Sequence, residues 1–200
     1  MIRVMIVDDQ ALVRAGFAML VRSQPDLAVV AECVDGVHCL ETLDRLEASA
    51  DGAGAVDIIL MDVRMPELDG VEAARHILAE RQVPIVMVTA FAERDIVQQA
   101  SEAGAFGYLV KPFRQDDVLA AITTAQARST ELADARKEAK SLSEALETRK
   151  VVERAKGMLM TAENISEPDA YARMRSASQR TGQPMKAIAE ALLATLSGEK

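Results

Sequence analysis

Ile2-Arg3-Val4-Met5-Ile6-Val7-Asp8-Asp9 is a short, nearly unbroken apolar run that stops at two carboxylates. A strand buried on both faces reads this way as it reaches the edge of its sheet. Four more runs of strand length follow: Leu27 to Ala31, Asp57 to Met61, Pro84 to Val88 and Phe106 to Val110. Between them lie segments with helical apolar spacing: Leu12, Phe17 and Leu20; Val37, Leu40, Leu43 and Leu46; Val71, Ala74 and Leu78; Ile96 and Ala100. Five β/α repeats predict an α/β fold, a doubly wound five-stranded parallel sheet covered by helices on both faces. Right-handed crossovers place the functional crevice at the carboxyl ends of the strands.

Beyond Pro112 the pattern changes. From Gln115 to Met160 there is no Pro, and Gly157 is the only Gly, which predicts one long helix. Leu132, Ala135, Ala139, Leu142 and Leu146 form a narrow stripe with alternating three- and four-residue steps. It fits a short coiled-coil seam pairing two chains through 132–146, or packing within one chain. Ser166-Glu167-Pro168-Asp169 reads as a helix start, and Thr181-Gly182-Gln183-Pro184 as a stop and a new start. A small three-helix all-α domain therefore closes the chain.

Composition narrows the classes. Half of the 200 residues are hydrophobic, enough for real cores, while aromatics are 3% with no Trp, which argues against an aromatic stacking platform. No apolar run approaches the roughly 18–20 residues that cross a bilayer, so no membrane association is expected. Acidic residues follow the first apolar run where a signal peptide would carry its cleavage site, so a cytoplasmic location is expected. Cys33 and Cys39 have no matching His cluster and read as small buried apolar residues. Residues 1–139 hold 13 Lys/Arg against 23 Asp/Glu, and residues 140–200 hold 10 against 8. An acidic first part disfavours nucleic acid lying across it; the mildly basic tail leaves that open.

Polar residues gather at the predicted strand ends: Asp8 and Asp9 at the first, Asp62 at the third, Thr89 at the fourth and Lys111 at the fifth. Three carboxylates in one place repel one another unless a hard divalent cation such as Mg²⁺ sits among them. With a cation and a Lys beside it, an Asp can act as nucleophile towards phosphorus, and Asp62 is the candidate.

These residues resemble a known family. Val7-Asp8-Asp9, Met61-Asp62-Val63-Arg64-Met65-Pro66-Glu67-Leu68-Asp69-Gly70, Val88-Thr89-Ala90 and Gly104 to Phe113 are similar to the receiver domain of bacterial two-component response regulators, over about residues 1–125. The resemblance implies a flavodoxin-like fold and phosphate accepted on Asp62 from a sensor histidine kinase. It implies Mg²⁺ held by Asp9, Asp62 and the backbone carbonyl of Arg64, with Asp8 direct or through water. It also implies that Thr89 and Lys111 contact the phosphoryl oxygens, that Tyr108 is the switch aromatic and that Lys111-Pro112 is cis. Such a protein is a phosphoacceptor with at most self-catalysed phosphoryl transfer and hydrolysis, not an enzyme. Arg64 and Phe91 are read as bulk that shields an acyl phosphate from water, or as mere surface cover.

The tail carries a second resemblance. Arg149 to Met160, with its Ala155-Lys156-Gly157 element, and Ser166 to Ala177, with Ala170-Tyr171 and a following Arg-rich turn, resemble the ANTAR domain over about 140–197. The expected organisation is a receiver at 1–125, a helical, coiled-coil-like linker at 126–147 and an ANTAR domain at 148–200. The resemblance implies binding to paired RNA hairpins in leader transcripts, and transcription antitermination. Tyr171 is then a candidate for stacking on a base, and Arg154, Lys156, Arg173 and Arg175 for phosphates or base edges. A DNA-binding output or a protein-scaffold output remains an alternative, although Met185 to Leu196 lacks the polar base readers of a recognition helix.

Overall fold

The computed structural model describes residues 1–48, 56–90, 98 and 102–197. They form two compact units, 1–133 and 134–200.

In the first unit, β1 (Ile2–Val7), β2 (Leu27–Cys33), β3 (Ile58–Asp62), β4 (Ile85–Thr89) and β5 (Gly107–Val110) make one sheet in the order β2-β1-β3-β4-β5, every neighbouring pair parallel. Among the described residues, the helices with defined bounds are α1 (Ala11–Arg22), α2 (Gly36–Glu47), α3 (Gly70–Glu80) and the start of α4 (Gln115–Glu163). Local chemistry fixes their starts. Asp35 caps α2 by accepting from the His38 amide at 2.8 Å, and Asp69 caps α3 by accepting from the Glu72 amide at 2.8 Å. At the start of α4, Asp117 reaches back to the Arg114 amide, also at 2.8 Å.

Strand alternation splits the interior into two layers. Val4, Ile6, Ile58, Leu60, Val86 and Val88 face α1 and α4, packing on Phe17, Val21, Val118 and Ile122. Met5, Val7, Ile59, Met61, Ile85 and Met87 face the opposite way, onto Cys39 and Leu43 of α2 and Ala74 and Ile77 of α3. Cys33 and Cys39 are buried free thiols, as expected. The hydrogen bond between them, together with burial, holds Cys39 far above the ordinary thiol range.

The expected architecture is present, with corrections in detail. β2 extends to Cys33, β3 and β4 each end one residue later than expected, and Asp8 and Asp9 stand just past β1. The ladder itself is longer: the Val63 amide still bonds the Val88 carbonyl at 2.9 Å. Leu12 is 86% exposed, because it lies roughly 180° around α1 from buried Val21. Val37 is likewise exposed, on the outer side of α2. Ile96 and Ala100 lie outside the described residues.

The second unit contains the later part of α4, α5 (Glu167–Thr181) and α6 (Met185–Ser197). α4 continues past Met160 to Glu163, where Asn164 takes the left-handed conformation at φ 52° and the Ile165 amide bonds the Met160 carbonyl. Ser166 caps α5, and Gly182 at φ 68° ends it, a conformation glycine adopts without strain. Ala155, Leu159, Ala170, Met174, Ile188 and Ala189 form a separate small core. Leu132, Leu142 and Leu146 are exposed on α4. Among the described residues no helix is long and apolar enough to cross a membrane.

Candidate functional site

Where strand order reverses between β1 and β3, the carboxyl ends of the two strands open a crevice. Asp8 follows β1, Asp62 is the last residue of β3, Thr89 the last of β4, and Lys111 comes directly after β5. The first three are buried, at 1%, 6% and 4% exposure. The Lys111 ammonium joins the two carboxylates, with Nζ 2.8 Å from Asp8 Oδ2 and 2.6 Å from Asp62 Oδ1. Backbone amides hold the other oxygens: Gln10 donates to Asp8 Oδ1 at 2.9 Å and Arg64 to Asp62 Oδ2 at 3.1 Å. Both carboxylates are thereby fixed in orientation before any ligand arrives.

The electrostatics follow from burial. Desolvation pushes the Asp62 carboxyl above its ordinary value, against the pull of Lys111 and with a further push from Asp8. Burial pulls Lys111 down, yet its bonds to Asp62 and Asp8 carry it above the usual lysine range. Two ionised carboxylates on one ammonium make this set of three net negative. Asp9 stands exposed at the same strand end. These are all hard oxygen donors, the set Mg²⁺ prefers, so the chemistry of the site fits that ion. Among the described residues no three His, Cys, Asp or Glu side chains are gathered into a ready cluster.

Neighbouring elements brace the crevice in ways the sequence reading did not single out. Arg14 of α1 donates to the Asp8 carbonyl at 2.7 Å. Gly70 sits so close beneath Asp62 that a side-chain carbon there would run into the Asp62 carbonyl oxygen, and its amide bonds the Val63 carbonyl at 2.9 Å. Gly36 donates its amide to Leu68, tying α2 to the loop after β3. Only a fixed close approach explains Gly at 70, and sequence spacing carries no such distance. Lys111-Pro112 is cis. The Lys111 amide bonds the Thr89 carbonyl at 2.7 Å, which sets β5 against β4. Tyr108 is 56% exposed on β5, and Arg64 is exposed; Phe91 lies outside the described residues.

In the second unit the proposed RNA-contacting residues divide. Arg154 and Arg175 are exposed, and Tyr171 is 47% exposed one helical turn before Arg175. Arg173 is exposed and paired with Glu163. Lys156 differs: it is buried, and its ammonium lies 2.7 Å from both Glu153 and Glu167, so it staples α4 to the first turn of α5. Those bonds raise the Lys156 pKa and hold Glu167 below the usual carboxylate range. A spacing pattern marks Lys156 as a cation but cannot reveal that two carboxylates already claim it.

Comparison with known proteins agrees with both halves of this description. The response regulator receiver domain family matches residues 4–123, and the ANTAR domain family matches residues 140–193. The transcriptional regulatory protein PdtaR of Mycobacterium tuberculosis is 41% identical over 198 residues, covering 99% of this chain and 92% of that protein. The transcriptional regulatory protein LnrK of Bacillus subtilis is 36% identical over 125 residues, 62% of this chain and 53% of that one. Among solved structures, the response regulator domain of Thermotoga maritima CheB superposes with a TM-score of 0.55 at 30% identity, covering 63% of this chain and 96% of that one.

Proposed function

Because the chain belongs to the response regulators, with a receiver domain followed by an ANTAR domain as its RNA-binding output, we propose that it is a phosphorylation-controlled transcription antiterminator in the cytoplasm. The observation that carries this reading is the pair of buried carboxylates, Asp8 and Asp62, joined by Lys111 at the crevice of the sheet.

Asp62 is the phosphoacceptor. Its carboxylate attacks the phosphorus of a phosphohistidine on a sensor kinase; the P–N bond breaks and an O–P bond forms on Asp62. Lys111 already stands at the acceptor to neutralise the arriving oxygens, and the Thr89 hydroxyl is the second group for them. Asp8, Asp9, Asp62 and the Arg64 carbonyl would hold Mg²⁺, which supplies positive charge to the transferred phosphoryl group. Once Asp62 carries the phosphoryl group as an acyl phosphate, Lys111 exchanges a carboxylate partner for phosphate oxygens, and the change at Thr89 and Tyr108 biases the β5 edge and the start of α4. The domains run over 1–125 and 148–200 with a helical linker at 126–147, and two chains pair through 132–146, where Leu132, Leu142 and Leu146 are exposed. The output grips RNA hairpins of a leader transcript through Arg154, Tyr171, Arg173 and Arg175. Lys156 contributes by holding the helices that present them.

The test is one series on the full chain. Acetyl phosphate with magnesium chloride adds the mass of one phosphoryl group, and Asp62→Asn removes that gain. Gel shifts with paired RNA hairpins then show tighter binding by the phosphorylated chain and none to duplex DNA. Modification that survives Asp62→Asn, or indifference to stem-loops, refutes the reading.

A further inference from the structure

The second unit contains a cleft of about 330 Å³ lined by the end of α4, α5 and α6. That is at the lower end of the roughly 300–1,000 Å³ of small-ligand sites. Its floor is aliphatic, made by Leu159, Met174, Ala177, Ile188 and Leu192. Its rim is polar: Glu163, Arg173, Ser176 and Arg180. Leu159 and Met174 are buried core residues, so the floor belongs to the packed interior and is formed in advance. Arg180 is exposed and has no ion-pair partner among the described residues, while Arg173 is held in place by Glu163.

We propose that this cleft receives one unstacked base from the loop of a bound RNA hairpin, with Arg173 and Arg180 holding the phosphates on either side. The inference rests on the RNA-binding reading above and deepens it. Charge complementarity selects the occupant. Two guanidiniums against one carboxylate make the rim net positive, which suits a polyanion. A base splayed out of a loop presents an apolar face to the floor and hydrogen-bonding edges to the rim. The Glu163 carboxylate accepts from an exocyclic amine, and the Ser176 hydroxyl gives or takes a bond, so the rim can read base identity as well as backbone charge. Tyr171 does not line this cleft, so base insertion and stacking on Tyr171 are physically separate events with different optical signatures.

The experiment uses the full chain, with and without acetyl phosphate, and a pool of RNA hairpins with a constant stem and a randomised loop. Selected binders are then remade with 2-aminopurine or an abasic residue at each loop position. Insertion predicts one position at which the abasic RNA binds about tenfold or more weakly. At that position 2-aminopurine brightens on binding, because it leaves its stacked neighbours for an aliphatic floor with no aromatic ring. Ala177→Leu fills the cleft, abolishes the brightening and weakens the intact RNA to the level of the abasic one, without changing affinity for the abasic RNA. Quenching at every responsive position, binding indifferent to every abasic residue, or brightening that survives in a folded Ala177→Leu chain overturns the proposal while leaving RNA binding intact. The RNA-side substitutions decide the matter alone if Ala177→Leu does not fold. Failure to select any hairpin refutes the functional reading, and the cleft assignment with it.

Discussion

Replacing Lys111 by Met leaves two buried carboxylates facing each other without their shared cation. The bonded oxygens lie no more than about 5.4 Å apart, given the 2.8 and 2.6 Å contacts to Nζ. At an effective dielectric constant of about 20, each lost contact is about 6 kcal/mol of gross attraction, and the remaining repulsion is at least about 3 kcal/mol. Removing one partner of a buried ion pair costs about 3–5 kcal/mol net, and solvent screening lowers the expectation here to about 2–3 kcal/mol at pH 7. The screening is real because the Lys111 side chain keeps 19% of its exposure. The loss depends on pH, with a definite sign. Burial already holds the Asp62 carboxyl above its ordinary value, and losing Lys111 raises it further. A carboxyl so raised contributes its stability in full below its unfolded pKa of about 3.9 and loses it as pH climbs through the folded pKa. The deficit of Lys111→Met is therefore small near pH 4 and widens towards pH 7. Urea denaturation of the full chain across this range, with hydrogen-exchange labelling of the β1, β3 and β4 amides, isolates the unfolding of residues 1–133. Adding Asp8→Asn removes the like-charge repulsion and recovers part of the loss. A deficit that is constant with pH, or a double variant whose losses simply add, refutes the assignment of a charge-coupled triad.

Gly70→Ala forces a carbon against the Asp62 carbonyl, so it lowers stability by about 1–3 kcal/mol and slows acetyl phosphate labelling. Thermal denaturation and intact-mass kinetics read the two effects. Leu142→Arg places charge in the exposed stripe of α4 and shifts the chain from dimer to monomer in sedimentation equilibrium, whereas Lys137→Glu, on the opposite side of the helix from the stripe, does not. Arg154→Ala and Arg175→Ala each reduce the slope of log affinity for RNA against log salt by about 0.7–0.9, with unchanged circular dichroism.

Legibility varied with the physics involved. β1, β3 and β4 are short and buried on both faces, so their apolar runs mark them almost to the residue. The residues after those runs mark the crevice, because a charged side chain can follow a buried strand only where the sheet ends. Leu12 shows the limit of periodicity: apolar spacing identifies a helix without saying which stripe faces the core, and Phe17, Ala18 and Val21 occupy it instead. Lys156 shows a second limit. Its partner Glu167 lies eleven positions later, across a helix break, where no periodic rule connects them. Arg14 and Gly70 act on the backbone of Asp8 and Asp62 through approaches that arise only once the loops are folded.

The two sides of the sheet are built from different materials. Among the described core residues of the sheet, Met5, Met61 and Met87, with Cys33 and Cys39, place the buried sulfur on the α2/α3 side, while the α1/α4 side is lined by Val, Ile and Leu from the same strands. Unbranched thioethers slide and refill gaps that β-branched chains cannot. The molecule thus has a compliant cushion on one side and a stiff plate on the other, and the plate is the side that carries the root of the long helix. The expected outcome of a small displacement beside Asp62 is that the thioethers take it up, so the methyl resonances of Met5, Met61 and Met87 shift with it.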